Sequence, residues 1–215
     1  MKLYVYDHCP FCVRARMILG LKNIEAEIIY LANDDEETPI KMIGKKMLPI
    51  LQTDNNIFIG ESLDIVTYVD EQFATPCLTL PENKSIEEWV NAASGTIFKL
   101  AIPRWAFTGY PEFAHDSARQ YFTAKKEAVF GSFTDLMKDS HIFIDDINEK
   151  LLELDTLLAD SPQATEAWSM TDIILFPVIR ALSIAEGVIW PVHVDQWRQR
   201  LAQQCGVDLE DDVAF

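Results

Sequence analysis

The sequence predicts an α/β domain followed by an all-helical one. Short β-rich runs alternate with helical segments over residues 1–74. A stretch with two prolines and little periodicity follows at 75–85. Beyond it, over 86–215, the character of the sequence changes to helix. We therefore expect a first domain at 1–74, a linker at 75–85 and a helical domain at 86–215. The chain has 215 residues, 49% of them hydrophobic, which is enough apolar material for a sizeable core.

LYVY (3–6) is a short strand of β-formers. Cys9 and Pro10 then open a helix, because proline suits the first turn, where its missing N–H costs nothing. That helix is expected to stop at Gly20, a residue suited to the position just past a helix end. AEIIYL (26–31) is a second strand, apolar enough to be expected in the interior. After the acidic run 33–37, Thr38-Pro39 starts a short helix ending near Gly44. Residues 48–52 begin a third strand, 53–56 turn, and 57–59 form its partner. Gly60 breaks that strand. Glu61 to Phe73 is an amphipathic helix, with Leu63, Ile65 or Val66, Val69 and Phe73 on one side. The order β-α-β-α-β-β-α gives a parallel pair joined by a helix, then a hairpin and a covering helix.

In the second domain a helix precedes Pro103, and a polar and aromatic helix covers about 114–138. Ile147, Leu151, Leu154 and Leu158 step by four, three and four along one helix face. WSMTDIILFPVIRALSIA (168–185) is nearly apolar throughout and predicts a buried central helix, kinked at Pro177. Ser169 and Asp172 have the S-x-x-D form of a capping box, with Trp168 and Ile173 placed as its hydrophobic staple.

The formal net charge is −16. Such a surface repels nucleic-acid phosphates and anionic lipid head groups, so neither nucleic acid nor membrane is expected as a partner. The N-terminal MKLYVYDHCP is too short an apolar run for a signal peptide, and no stretch approaches the length of a membrane span. The expected setting is cytoplasmic, where disulfides are mostly transient, catalytic or sensing.

Cys9-Pro10-Phe11-Cys12 is the chemically informative stretch. Structural zinc needs four ligands, whereas Cys77 and Cys205 stand alone and no second C-x-x-C exists, so no metal is expected. A structural disulfide closing so short a loop removes little chain entropy. The redox reading has positive support. Cys9 stands at a helix N-terminus, where unpaired N–H groups and the dipole favour a thiolate. Cys12 lies on the same helix face and can reach back to it. Arg14 and Arg16 add positive charge, although both also read as solvated helix surface. The four histidines read as structural or exposed rather than catalytic; His8 could modulate Cys9, but thiol exchange needs no histidine base once Cys9 is ionised. Pro49, opening a strand, suits a cis bond facing the cysteine, a geometry found in about 5–6% of X–Pro bonds.

KLYVYDHCPFCVRARMILGLKNI, then LPIL and GESLDIVTYVDE, resembles the glutathione-transferase-type thioredoxin fold. With the helical second domain, the whole chain resembles the large two-domain bacterial glutaredoxins. The resemblance implies a thioredoxin-like first domain and a glutathione-transferase-like second one. It implies a glutathione-dependent thiol–disulfide oxidoreductase, with Cys9 and Cys12 as catalytic redox pair and glutathione as co-substrate. Cys9, Pro10, Phe11, Leu48, Pro49, Glu61 and Ser62 would bind glutathione: Pro49 as the cis-proline, Leu48 through its backbone, Glu61 and Ser62 at the γ-glutamyl end. Glu and Ser are also ordinary helix-start residues. Small glutaredoxins usually carry CPYC, so Phe11 departs by one hydroxyl. Implied partners are glutathionylated or disulfide-containing proteins, and the implied state is a monomer. Two alternatives stay open: a cysteine-type glutathione transferase or dehydroascorbate reductase, which often lacks the second cysteine, and a non-enzymatic binding module of the same fold.

Overall fold

The computed structural model describes residues 1–159 and 167–215. The first domain contains β1 (Lys2–Val5), α1 (Pro10–Leu21), β2 (Glu27–Tyr30), α2 (Glu37–Ile43), β3 (Ile50–Gln52), β4 (Phe58–Ile59) and α3 (Ser62–Gln72). The sheet order is β2-β1-β3-β4. β1 pairs with β2 in parallel and with β3 antiparallel, and β3 pairs with β4 antiparallel. This is the expected βαβ unit plus hairpin, with Leu3, Val5, Ile50 and Leu51 buried in its core.

The helical domain contains α4 (Lys84–Trp105), a 3-10 turn at Pro111–Phe113, α5 (Asp116–Phe130), α6 (Phe133–Lys138), α7 (Ser140–Ala159), α8 (Met170–Leu182) and α9 (Val192–Cys205). α8 packs against α4, and α4 against α7. Ile147, Leu151, Leu154 and Leu158 are all buried, as their spacing predicts.

Four local expectations are corrected. α1 does not stop at Gly20 but runs on to Leu21. A Cβ at Gly20 would stand 1.8 Å from the Cys205 carbonyl oxygen, so glycine is there to let α9 approach, not to end the helix. β2 is not interior: Glu27, Ile28 and Tyr30 are exposed, because β2 is the edge of the sheet. α4 continues past Pro103. The proline falls in the last turn, and the Arg104 guanidinium donates to the Leu100 carbonyl at 2.8 Å, supplying a partner near the helix end. The 114–138 helix is two helices, separated at Gly131, whose φ of 92° only glycine adopts readily. Pro177 lies within α8, which continues to Leu182.

The segment 75–85 is tied down. The Trp168 N–H donates to the Cys77 carbonyl and the Leu80 N–H to the Trp168 carbonyl, each at 3.0 Å. The Asp70 carboxylate accepts the Cys77 N–H at 2.8 Å and the Lys22 ammonium at 3.1 Å. α8 then starts with the predicted capping box: the Ser169 hydroxyl accepts the Asp172 N–H at 3.2 Å, and the Asp172 carboxylate accepts the Ser169 N–H at 2.8 Å. Trp168 and Ile173, which flank it, are buried. Ser169→Ala should therefore lose about 0.5–2 kcal/mol. Urea melts check this, and an unchanged midpoint would remove the cap from the account.

The domains share α1. It packs on α3 within its own domain and on α8 and α9 of the other. Cys12, Val13, Ala15, Met17, Ile18 and Leu19 are all buried, more than a single face can supply. Arg180 of α8 adds polar ties. Its guanidinium donates to the Asp7 carbonyl and carboxylate, both at 3.1 Å, to the Asp208 carbonyl at 2.7 Å and to the Glu210 carboxylate at 2.6 Å.

Candidate active site

Cys9 is the N-cap of α1, with extended φ and ψ of −71° and 119°, and Pro10 is the first helical residue. The cap position turns the free N–H groups of Phe11 and Cys12 toward the Cys9 sulfur. Cys9 is half-buried, Cys12 wholly buried, and both are free thiols. The Cys12 sulfur also accepts the Tyr6 N–H at 3.4 Å.

These surroundings divide the pair. The Cys9 thiol is pulled down from 9.0 to about 6, first by the hydrogen bond from the Cys12 thiol, then against the opposing effect of burial by the charge of His8 and the two helix N–H groups. The Cys12 thiol is pushed well above the ordinary range, first by burial and then by donating to and lying beside Cys9. One thiol is a half-exposed thiolate, the other a buried proton-bearing thiol next to it. That is the chemistry of a nucleophile with a resolving partner.

Strand register places the remaining candidates at the same end of the sheet. Tyr4 pairs with Ile50 and Leu51 with Ile59. Leu48-Pro49 and Glu61-Ser62 therefore both flank the end of β1 from which the chain leaves for Cys9. The Leu48–Pro49 bond is cis, and both residues are buried. Gly60 is tightly enclosed: a Cβ there would meet the Ile43 Cδ1 atom at 2.8 Å. Ser62 is buried at the first position of α3, while Glu61 is exposed and pairs with the Lys45 ammonium at 2.8 Å. Phe11 is 52% exposed, and the Arg14 guanidinium carbon lies 4.9 Å from its ring centre. Arg16 is not solvated surface, since its guanidinium pairs with Asp7 at 2.7 Å.

Sequence reasoning missed two features beside the thiols. Arg180 anchors Asp7 across the domain boundary, and Glu112 holds His8, with its Oε1 2.5 Å from the His8 Nδ1. These partners are 173 and 104 residues apart in the chain, and no spacing signal joins them. A cleft of about 620 Å³ between β2 and the end of α9 does not include Cys9. Its one cysteine, Cys205, is held near 11 by burial and is a poor nucleophile. Among the described residues no cluster of His, Cys, Asp and Glu is arranged to hold a metal ion, and no helix is long and apolar enough to cross a membrane.

Both parts of the chain match known protein families. Residues 85–214 match the family model for the C-terminal domain of glutaredoxin 2, and residues 3–77 that for the N-terminal domain of glutathione S-transferase. Glutaredoxin 2 of Escherichia coli K12 is 44% identical over 215 residues, with all of both chains covered. The crystal structure of glutaredoxin 2 from Salmonella typhimurium in complex with glutathione is 45% identical, with a TM-score of 0.95 over all of this chain and 98% of that one. A glutathione transferase from Phanerochaete chrysosporium, 15% identical, has a TM-score of 0.70 over 94% of this chain and 96% of that one, a likeness of fold alone.

Proposed function

The chain belongs to the glutaredoxin 2 family, a family of glutathione-dependent oxidoreductases, and from that premise we propose that Cys9 and Cys12 carry its thiol–disulfide exchange. The observation that carries this reading is the asymmetry of the two thiols, one a half-exposed thiolate and the other buried and protonated.

With a glutathionylated protein, the Cys9 thiolate attacks the glutathionyl sulfur. A Cys9–glutathione disulfide forms and the protein leaves as a thiolate. A second glutathione thiolate attacks that sulfur pair, oxidised glutathione leaves, and the Cys9 thiolate returns. With a protein disulfide, Cys9 displaces one protein thiol and remains bonded to the other. Cys12 then gives up its proton and attacks Cys9, releasing the second thiol and leaving a Cys9–Cys12 disulfide, which two glutathiones reduce. Capture of Cys9 in a mixed disulfide removes the neighbouring negative charge that keeps Cys12 protonated. The resolving thiol is thereby activated when it is needed.

Glutathione would lie against Cys9, Pro10, Phe11, Leu48 and Pro49. Its γ-glutamyl end would reach Glu61 and Ser62, with the start of α3 receiving the carboxylate. Residues 1–74 would hold the chemistry, 75–85 the connection and 86–215 the supporting domain. We further propose a cytoplasmic monomer acting on glutathionylated and disulfide-bonded proteins. Reduction of a glutathione mixed disulfide, coupled to glutathione reductase, tests the reading. A rate no higher than background would refute it.

Glu61→Gln examines the binding end. The ammonium of glutathione must take Glu61 from Lys45, but an exposed pair of that kind contributes only about 0–1 kcal/mol. A charge-assisted bond contributes roughly 1.5–3 kcal/mol, and the exposure of Glu61 places it at the low end. The expected result is a KM for a glutathionylated peptide raised several-fold, with the melting midpoint unmoved. Identical kinetics would return Glu61 to a plain helix-start role.

A further inference from the structure

Glu112 lies in the 3-10 turn between α4 and α5 and has no exposed surface. Its Oε1 accepts the His8 backbone N–H at 3.1 Å and sits 2.5 Å from the His8 Nδ1. Its own carbonyl accepts the Asn33 N–H at 3.0 Å. One residue of the helical domain thus grips both loops that border Cys9, the one after β1 and the one after β2. Its Oε2 is buried and has no hydrogen-bond partner among the described residues. A buried polar atom left unpaired asks for a reason.

The His8 ring is buried too, with its centre 4.9–5.9 Å from those of Tyr6, Trp105, Phe113 and Phe122. Burial in this aromatic box pushes the Glu112 carboxyl up, but the bond to His8 and the charge of His8 bring it below the usual carboxylate range. An ionised carboxylate without water requires a counter-charge close by. The other titratable or charged groups around His8 are engaged elsewhere or of the wrong sign, and the Arg119 guanidinium over the Phe113 ring donates to the Ala106, Thr108 and Phe113 carbonyls. The Tyr6 and Tyr110 hydroxyls are pushed up by burial and stay neutral. Glu210 is acidic and is matched by Arg180, whose remaining bonds go to Asp7 and Asp208. Cys9 and Cys12 carry negative charge or none. The charge of His8 that favours the Cys9 thiolate therefore faces the Glu112 carboxylate directly, with Nδ1 2.5 Å from Oε1.

We propose that Glu112 is a positioning residue for the reaction: from the helical domain it fixes the His8 ring and backbone immediately before Cys9. This rests on Cys9 being the nucleophile. The helical domain would then help set the reactivity of a thiol it does not contain.

The sign of the effect separates this role from the alternatives. The negative charge of Glu112 by itself opposes a neighbouring thiolate, as it does at Cys12. Removing that charge while leaving His8 charged would make Cys9 more acidic. Removing it and thereby releasing His8 takes away the neighbour that lowers the Cys9 thiol and makes Cys9 less acidic. The measurement is the pH dependence of Cys9 alkylation by iodoacetamide in reduced protein. Glu112→Gln should move the midpoint upward from about 6 by about one pH unit. His8→Gln should do the same, and the double variant should add nothing further. A downward shift, no shift, or full additivity overturns the proposal. The alkylation readout uses no enzyme substrate, so a protein without thiol-transfer activity would refute the functional reading while leaving these results distinct from it.

Discussion

Cys9→Ser should abolish every thiol-transfer activity, while Cys12→Ser should separate the two substrate classes. Only Cys9 is both reachable and ionised; with its thiol held near 6, about nine-tenths is thiolate at pH 7. Serine offers no comparable nucleophile, so the loss is to background. Cys12 enters only when a protein occupies Cys9 and glutathione cannot release it quickly. Cys12→Ser should therefore keep substantial turnover of small glutathionylated substrates and lose most protein-disulfide reduction. It should also trap a Cys9-linked complex visible on a non-reducing gel. Part of the Cys9 shift comes from the hydrogen bond of the Cys12 thiol, so the alkylation midpoint should rise in Cys12→Ala, which has no donor at that position. Unchanged rates for both substrates would favour a single-cysteine transferase mechanism. The linkage has a definite sign. A thiol depressed in the folded state gives stability that is fully present above the unfolded value of 9.0 and is lost as pH falls through about 6. Reduced wild type should gain on Cys9→Ser across that window.

Arg180→Leu should be the most damaging single change to the fold away from the thiols. It strands Glu210, which is 2% exposed, and takes the anchor from Asp7. Removing one member of a buried pair typically destabilises by about 3–5 kcal/mol, because the other charge stays behind. The Glu210 carboxyl, already pushed up by burial, would lose the guanidinium that opposes that shift and be left with the Trp105 indole N–H at 3.0 Å. Urea unfolding is the measurement. Arg180→Leu combined with Glu210→Leu should recover much of the loss, since an apolar replacement of both partners leaves no orphan charge. A single variant as stable as wild type would show that the network does not hold the domains together.

Much of this was legible in the sequence because it is local. The thiol pair at a helix start, the capping box at Ser169 and the stripe from Ile147 to Leu158 each lie within a few turns of chain. The misread elements were decided at a distance. Gly20 looks like a stop until Cys205 is seen against it. AEIIYL looks interior until its edge position in the sheet is known. Helix α9, mostly polar in composition, gives only weak periodicity in the sequence; its place is fixed by Val194, Trp197 and Leu201 packing inward. The contacts of His8 with Glu112 and of Asp7 with Arg180 arise only when the two domains meet.

The double burial of α1 bears on modularity. In a free-standing unit of this type the reactive helix would have one covered side and one wet side. Here its outer side, with the bare backbone at Gly20, is the seat of α8 and α9. Cutting the chain after the first domain would expose that seat as an apolar strip, a surface that invites association. The reactive domain is therefore not portable: grafted elsewhere, it would need either its helical partner or a rewritten back face.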